Sequence, residues 1–272
     1  MTNAGGIELQ EVSFTYANIN SRSRPVSVFY KLNAQFLSNK ISSILGKSGY
    51  GKSTILKLIC GLLKPDDGII LINGARPYAI RSQKSLMYLP QEAFPAPWRT
   101  VTDNLSLVLE ISGAKKNLHA YAQDFLSILG LSEFANYYPY NLSGGQKRRL
   151  SIGMALITRP SYVLLDEPFT GLDAITREEL YCFILNIFRS QDFWIGMQRA
   201  PSGSLPTVLI VTHDLEEAAL LGDNIYVIPS KLPVRAFHIL NNPIKNINPG
   251  NLRTIKYEPG FRDLILSLKD KL

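Results

Sequence analysis

The sequence contains no run approaching the ~18–20 consecutive apolar residues that a helix needs to cross a bilayer, so no membrane-spanning helix is expected. Its opening residues, Met1 to Gly6, lack a basic stretch followed by an apolar one, and no secretory leader is expected from them. Cysteine is scarce: Cys60 and Cys182 stand far apart in apolar segments without metal-ligand spacing, and they are expected to be buried thiols in a reducing compartment. There are no internal repeats and no low-complexity tracts, which excludes repeat architectures and wholesale disorder. Acidic residues are outnumbered, 22 against 29 Lys and Arg, for a net charge of +7. The basic residues are scattered, with Lys147-Arg148-Arg149 the densest cluster. That distribution fits a basic face near a membrane, or simply a solvated one, better than a nucleic-acid footprint, and no nucleic-acid partner is expected.

What remains is an ordinary globular composition, 46% hydrophobic and 19% charged over 272 residues, enough for one large domain with a substantial subdomain. Ile7 to Phe14 alternates apolar and polar residues as a half-buried strand does. Gln35-Phe36-Leu37 and Lys40 to Leu45 continue the pattern, and the latter runs into a glycine-rich loop. Ile55 to Ile59 predicts a helix closed by Gly61. Pro65 to Gly68 predicts a turn, Ile69 to Ile72 a strand, and Asn73-Gly74 a hairpin. Val101 to Ala135 has a helical texture anchored by Leu105, Leu109, Phe125, Leu126 and Ile128. Nearly unbroken apolar runs at Tyr162–Leu165 and Val208–Val211 predict strands buried on both faces, as in a parallel sheet. Ser190–Pro206 is longer than a helix-to-strand connection usually needs, and a terminal helix is expected over Phe261–Leu272.

Three short patterns carry chemistry. In Gly46-Lys-Ser48-Gly49-Tyr50-Gly51-Lys52-Ser53-Thr54, the glycines allow positive backbone torsions and close approach of the main chain to phosphates. Successive amides and the start of a helix form an anion cradle. Lys52 can reach terminal phosphates and the Ser53 hydroxyl can ligate Mg²⁺. Asp166 ends an apolar strand, where a carboxylate is costly unless a cation is near; a Mg²⁺ shared with Ser53 removes that cost. Glu167 follows, placed to polarise a water attacking the γ-phosphate of ATP. The third pattern is Leu142-Ser143-Gly144-Gly145-Gln146, lying between the other two.

In this order and spacing the chain resembles the ATP-binding cassette (ABC) ATPases, over most of its length. Gln91 matches that family's Q-loop glutamine, Gly171-Leu172-Asp173-Ala174 its D-loop, Val211-Thr212-His213-Asp214 its switch-histidine region, and Tyr16 the aromatic that stacks on adenine. The resemblance implies an α/β fold: a P-loop NTPase core of ABC type, with an antiparallel β subdomain and an inserted α-helical subdomain. It implies one domain over 1–272, with the core in 1–91 and 151–228, the helical subdomain in 92–150 and a C-terminal extension in 229–272. Gly46, Ser48, Gly49, Gly51, Lys52, Ser53 and Thr54 would serve this chain's own ATP. Ser143, Gly144, Gly145 and Gln146 would face the ATP of a second subunit, identical or paralogous. Glu167, His213, Gln91 and Lys52 would be catalytic, with Ser53, Gln91 and Asp166 at the metal and Asp173 at the dimer seam.

Gln91-Glu-Ala-Phe-Pro-Ala-Pro97-Trp98-Arg99-Thr100-Val101 is similar to the ATPases of nitrate, sulfonate, taurine and bicarbonate importers, where Pro-Trp-Arg-Thr-Val follows the Q-loop. The tail, Glu258-Pro-Gly-Phe261-Arg262-Asp263-Leu264, is similar too. That implies a peripheral subunit at the cytoplasmic face of the cell membrane, docked on permease subunits through the Gln91–Val101 region and served indirectly by a solute-binding protein. Trp98 would fill a partner groove or pack within its own subdomain. Asn39-Lys40, Tyr50, Gly171 and the long Ser190–Pro206 segment depart from the usual pattern without removing a catalytic group. An ABC ATPase serving another membrane or soluble process is the alternative, and a binding-only cassette a further one.

Overall fold

The computed structural model describes residues 6–17, 25–114, 117–189, 205–244, 247 and 250–272. A six-stranded sheet has the order β5-β6-β7-β3-β8-β9. Its strands are β3 (Ile41–Leu45), β5 (Leu86–Leu89), β6 (Tyr162–Asp166), β7 (Thr207–Thr212), β8 (Asn224–Val227) and β9 (His238–Asn241). All neighbours run parallel except β8 and β9. A separate antiparallel sheet pairs β1 (Gly6–Tyr16) with both β2 (Val26–Leu37) and β4 (Asp67–Ile72).

The unbroken apolar runs are explained by alternation in a sheet with two covered faces. Val163, Leu165, Val208 and Ile210 join the core on one face, while Leu164, Leu209 and Val211 join the core on the other. The first core is closed by the helices α3 (Val101–Ile111), α4 (Leu118–Leu129), α5 (Gly144–Leu156), α6 (Ala174–Arg189) and α7 (Leu215–Leu221), and by the C-terminal helices α8 (Leu252–Ile255) and α9 (Pro259–Lys269). The second lies between the sheet, the helix α1 (Lys52–Ile59), the short α2 (Pro77–Ser82) and the antiparallel sheet. The expected α/β architecture, with an antiparallel sheet and a helical insertion, is thus realised.

Local expectations are met at β1, β3, α1, β6 and β7. The Asn73-Gly74 hairpin is corrected in extent. Both residues are left-handed, with φ of 49° and 77°, and Ile72 bridges back to Ala75. The return goes no further because Pro77 starts α2, its missing N–H ending any ladder there. Cys60 is buried as expected, whereas Cys182 is only partly covered. Of the long Ser190–Pro206 connection, residues 190–204 lie outside the described residues.

Parallel strand order places the ends of β3, β6 and β7 side by side. Leu45 is paired with Thr212, and Asp166 with Val211. The crevice beyond the carboxyl ends of such strands is where parallel α/β sheets bind ligands. The three loops leaving it are the glycine loop, the Glu167 turn and the His213 segment.

Candidate active site

The glycine loop leaves β3 as Gly46, whose amide bonds Thr212 O at 3.2 Å, and ends at Gly51, the residue before α1. Gly51 has φ of 97°, and a Cβ there would meet Val28 Cγ1 at 2.6 Å and Phe29 Cζ at 2.9 Å. Only glycine fits that position. Gly49, at φ of 87°, has nothing within 4 Å of its Cβ direction, so the outer side of the loop is open to a ligand. Lys52, buried at 5% exposure, curls back and donates to Lys47 O at 3.2 Å. Thr54 is buried, its hydroxyl 3.1 Å from the Tyr16 hydroxyl. Tyr16 itself, at the end of β1, is 41% exposed and braced edge-on by Phe14.

Asp166 closes β6 almost fully buried, with Ser53 Oγ donating to Oδ1 at 3.0 Å and the Tyr88 hydroxyl donating to Oδ2 at 3.0 Å. Burial pushes its carboxyl above the ordinary aspartate value, and these two hydrogen bonds pull against that rise. A buried, hydrogen-bonded carboxylate beside a serine hydroxyl is the donor chemistry that suits a hard divalent cation. Among the described residues no group of three or more His, Cys, Asp and Glu converges. The oxygens therefore fit Mg²⁺ held jointly by protein and phosphate rather than a metal caged by protein alone.

Glu167 sits one residue beyond, in the left-handed region at φ of 44°. A non-glycine residue held there signals a backbone kept in place by its surroundings. Its carboxylate gathers three partners: Lys52 Nζ at 3.1 Å on one oxygen, Thr170 Oγ1 and His213 Nδ1 each at 3.0 Å on the other. Burial raises its pKa, yet the Lys52 hydrogen bond and charge, with Thr170 and His213, outweigh burial and bring it below the ordinary glutamate value. Because an ionised carboxylate only accepts, Nδ1 of His213 donates.

The Leu142–Gln146 segment starts α5 with a capping box: Gln146 N donates to Ser143 Oγ at 3.2 Å and Ser143 N to Gln146 Oε1 at 2.8 Å. Oε1 of Gln146 is thus engaged at the helix start, while the Ser143 hydroxyl accepts there and keeps its own proton to donate. Gly145 needs its missing side chain, since a Cβ would meet Thr176 Cγ2 at 2.3 Å. Gly144 faces Leu172 of the D-loop, 3.7 Å from its Cβ direction. Asp173 turns its carboxylate onto α6, accepting from Ile175 N, Thr176 N and Thr176 Oγ1 at 3.1, 3.0 and 2.6 Å. Gln91 is exposed, and its carbonyl accepts from Arg148 at 3.1 Å.

Strands and loops thus bring together Lys52, Ser53, Asp166, Glu167 and His213. Ser143, Gly144 and Gly145 open a helix beside the D-loop, a helix start separate from the glycine loop. Three contributors were not read from the sequence. Tyr88 lies on β5, beside β6, in a run whose hydrophobic pattern does not mark a hydroxyl for Asp166. Thr170 has only its position three residues after Glu167 to announce it. Buried Asn104 binds the Ala96, Arg99 and Thr100 carbonyls at 3.1, 3.2 and 2.9 Å and holds the loop that carries Trp98. Trp98 and Phe94 stand outside that loop at 76% and 79% exposure, so Trp98 does not pack within its own subdomain.

The fold and this site define a nucleoside-triphosphate hydrolase of the glycine-loop type. The family model described as ABC transporter matches residues 29–170, and the chain belongs to that family. It is similar to the formylaminopyrimidine import ATP-binding protein of Halalkalibacterium halodurans, 35% identical, over 85% of this chain and 82% of that protein. It is likewise 35% identical to the taurine import ATP-binding protein of Rhizobium johnstonii, over 81% of this chain and 79% of that one. Among solved structures, the ATP-binding cassette MJ0796, a dimer in a post-hydrolysis state bound to ADP and Pi, superposes with a TM-score of 0.70 at 25% identity, covering 88% of this chain and 99% of that one. The chain is an ATP hydrolase of the ABC family.

Proposed function

We propose that this chain is the ATPase subunit of an importer, binding Mg-ATP at a site completed by a second cassette and driving a small solute through a separate membrane permease. The observation that carries the site assignment is the Glu167 carboxylate, held between Lys52, Thr170 and His213 at 3.0–3.1 Å at the mouth of the phosphate loop. The loop amides and Lys52 bind the phosphates, and Tyr16 stacks on the base. Mg²⁺ would be held by Ser53 and Asp166, with Gln91 offered from its loop, and would neutralise charge on the phosphates. When phosphate engages Lys52, Glu167 loses its nearest cation and its carboxylate is released to orient and deprotonate a water. His213 then holds Glu167 and the water in line. Ser143, Gly144 and Gly145 serve the other subunit's ATP, and Asp173, tied to the start of α6, lies at the seam.

The division into a core of 1–91 and 151–228, a helical subdomain of 92–150 and an extension of 229–272 follows the same reading. The helical subdomain carries the docking face: Trp98 and Phe94 project from a loop that Asn104 fixes from beneath, a rigid apolar anchor of the kind partner grooves take. Relatives named for taurine, aliphatic sulfonate and formylaminopyrimidine import favour a small polar solute, and anions such as sulfonate, nitrate or bicarbonate are within that class. On this reading the subunit lies peripherally on the cytoplasmic face of the membrane, and a solute-binding protein selects the cargo. Among the described residues no helix is long and apolar enough to cross a membrane.

The test is the ATP hydrolysis rate of the purified chain against its own concentration, with and without Mg²⁺. A rate per subunit that climbs with concentration and vanishes without the metal supports a composite site. A rate independent of concentration in a protein that stays monomeric rejects it.

A further inference from the structure

One guanidinium ties three loops of this chain together. Arg148, in the second turn of α5, donates through Nε to Pro168 O at 2.5 Å and through Nη1 to Gln91 O at 3.1 Å. Its Nη2 reaches Glu167 O at 3.2 Å and Asp166 O at 3.5 Å. Three consecutive carbonyls of the Glu167 turn therefore converge on one cation, together with a carbonyl of the Gln91 loop. The same helix also reaches that loop through Ser151 Oγ, which donates to Ala93 O at 3.1 Å.

The arrangement answers a physical problem. Glu167 has φ of 44°, a conformation costly for a side-chain-bearing residue, and turning the chain there aims successive carbonyls the same way. Such a cluster of partial negative charge needs a multidentate donor, and a guanidinium presents five N–H groups in a fixed plane. Glu167 N is held by Val211 O at 3.0 Å and Thr170 N bonds Glu167 O at 3.3 Å, but neither reaches Asp166 O or Pro168 O, and those two carbonyls are left to Arg148. Burial brings the guanidinium pKa down to about 10, so the cation remains charged at neutral pH.

We propose that Arg148 is a positioning residue for hydrolysis: it holds the Glu167 backbone in its left-handed turn and locks that turn and the Gln91 loop to α5. Since α5 begins at Ser143, a shift of this helix start is transmitted through its next turn to the glutamate of the same chain. In the two-subunit reading above, on which this last link rests, ATP held at Ser143 from the opposite subunit thereby adjusts the base at this subunit's own site.

The test compares Arg148→Met and Arg148→Lys with Arg149→Met. Arg149 is the next residue on the helix, and its guanidinium instead pairs with Glu179 at 3.1 Å. Four quantities are read on the full chain: kcat and KM for Mg-ATP, thermal midpoint, and amide hydrogen exchange over 166–170 without nucleotide. Arg148→Met is expected to lower kcat about 10- to 100-fold, the range a misplaced catalytic group produces, with KM within about 3-fold. Exchange of the Thr170 amide should accelerate, and Arg148→Lys, whose ammonium cannot span all four carbonyls, should recover only part of kcat. Arg149→Met should stay within about 2-fold of the parent, as for a side chain outside the site.

Equal losses in Arg148→Met and Arg149→Met, or a loss matching only the folded fraction, overturn the proposal. Should Arg148→Met fail to fold, Arg148→Lys is read on the same quantities, and an unchanged kcat there overturns it as well. If the isolated parent chain does not turn over Mg-ATP, turnover requires the membrane partner of the proposed importer or the chain only binds ATP, and the two-subunit link falls with it. Exchange over 166–170 then decides on Arg148 alone: faster in Arg148→Met supports it, unchanged rejects it.

Discussion

The Lys52 ammonium lies 3.1 Å from the Glu167 carboxylate, so the cation expected to greet phosphate and the base expected to activate water neutralise each other before nucleotide arrives. Both are nearly inaccessible, with side-chain exposures of 5% and 11%, and an ion pair of that kind is not screened away by solvent. On the proposed reading, phosphate would enter by exchanging partners on Lys52, and the same exchange would free Glu167. Binding and the readying of the base would then be one event.

Removing the base should separate them. Glu167→Gln keeps the size of the side chain and can still accept from Thr170 and His213, but cannot take a proton. We expect ATP affinity within a few-fold of the parent and turnover lower by about 100-fold or more. Nucleotide binding by fluorescence and phosphate release by a coupled assay check both halves; unimpaired turnover removes Glu167 from the role of base.

Tyr88 holds Asp166 from the side opposite Ser53, with its hydroxyl 3.0 Å from Oδ2. Tyr88→Phe removes that donor and leaves the carboxylate free to swing. The Mg²⁺ concentration giving half-maximal ATPase should rise about 10-fold, the lower end of what losing a partner behind a metal ligand costs. A metal titration at saturating ATP measures it, and an unmoved midpoint would falsify the assignment of Asp166 to the metal.

Gly51 is the loop position least able to change. Alanine there meets Val28 and Phe29 inside van der Waals distance at φ of 97°. Gly51→Ala is expected to destabilise the protein by about 1–3 kcal/mol and to weaken nucleotide binding together with it. Chemical denaturation and ATP titration give the two numbers. Gly49, with nothing within 4 Å of its Cβ direction, should tolerate the same change with less loss of stability.

Glu217 is buried in α7, where it accepts from the hydroxyls of Thr212 and Tyr181. Burial raises its pKa above the ordinary glutamate value, with the hydrogen bonds and Arg177 opposing and Asp214 adding to the rise. The folded state therefore binds this proton more tightly than the unfolded state does. The contribution to stability is full below the unfolded value of about 4.3 and is lost as pH rises through the folded value. Glu217→Gln should abolish that decline while leaving the hydrogen bonds largely in place. Denaturant midpoints measured from pH 4 upward, parent against variant, test the sign: parallel curves would mean that Glu217 is no more protonated in the fold than out of it.

Trp98 and Phe94 are among the most exposed large apolar side chains of the described residues. Trp98→Ala should leave the ATPase of the isolated chain unchanged and abolish coupling to the permease in reconstituted vesicles. Solute uptake against ATP turnover reads this directly. A variant that transports normally would place the docking face elsewhere.

Much of the site was legible along the chain because phosphate binding is a local matter. Glycines at 46, 49 and 51, a lysine and serine opening a helix, and a carboxylate closing an apolar strand act through backbone torsions and helix ends, which short segments specify by themselves. The two-faced burial of β6 and β7 was equally plain, since a strand covered on both sides has no polar alternation to hide it. The Asn73-Gly74 hairpin was legible as a turn but not in extent, because the length of a return strand depends on what the next segment packs against.

What the amino-acid order determined alone is the set of groups proposed to react and the loops that bear them: Lys52, Ser53, Asp166, Glu167, His213 and the Ser143 helix start. Tertiary structure decided how they are held. Strand order set β5 beside β6 and so delivered Tyr88 to Asp166, from 78 residues away in the chain. Helix packing brought Arg148 onto the carbonyls of Gln91 and Glu167, and it bound Arg177 both to Leu172 O and to Asp214. The reason is one of range. Torsional preference and capping act over a few residues, but a hydrogen bond between distant segments exists only once the core has folded them together, and no local pattern records which partner will be there.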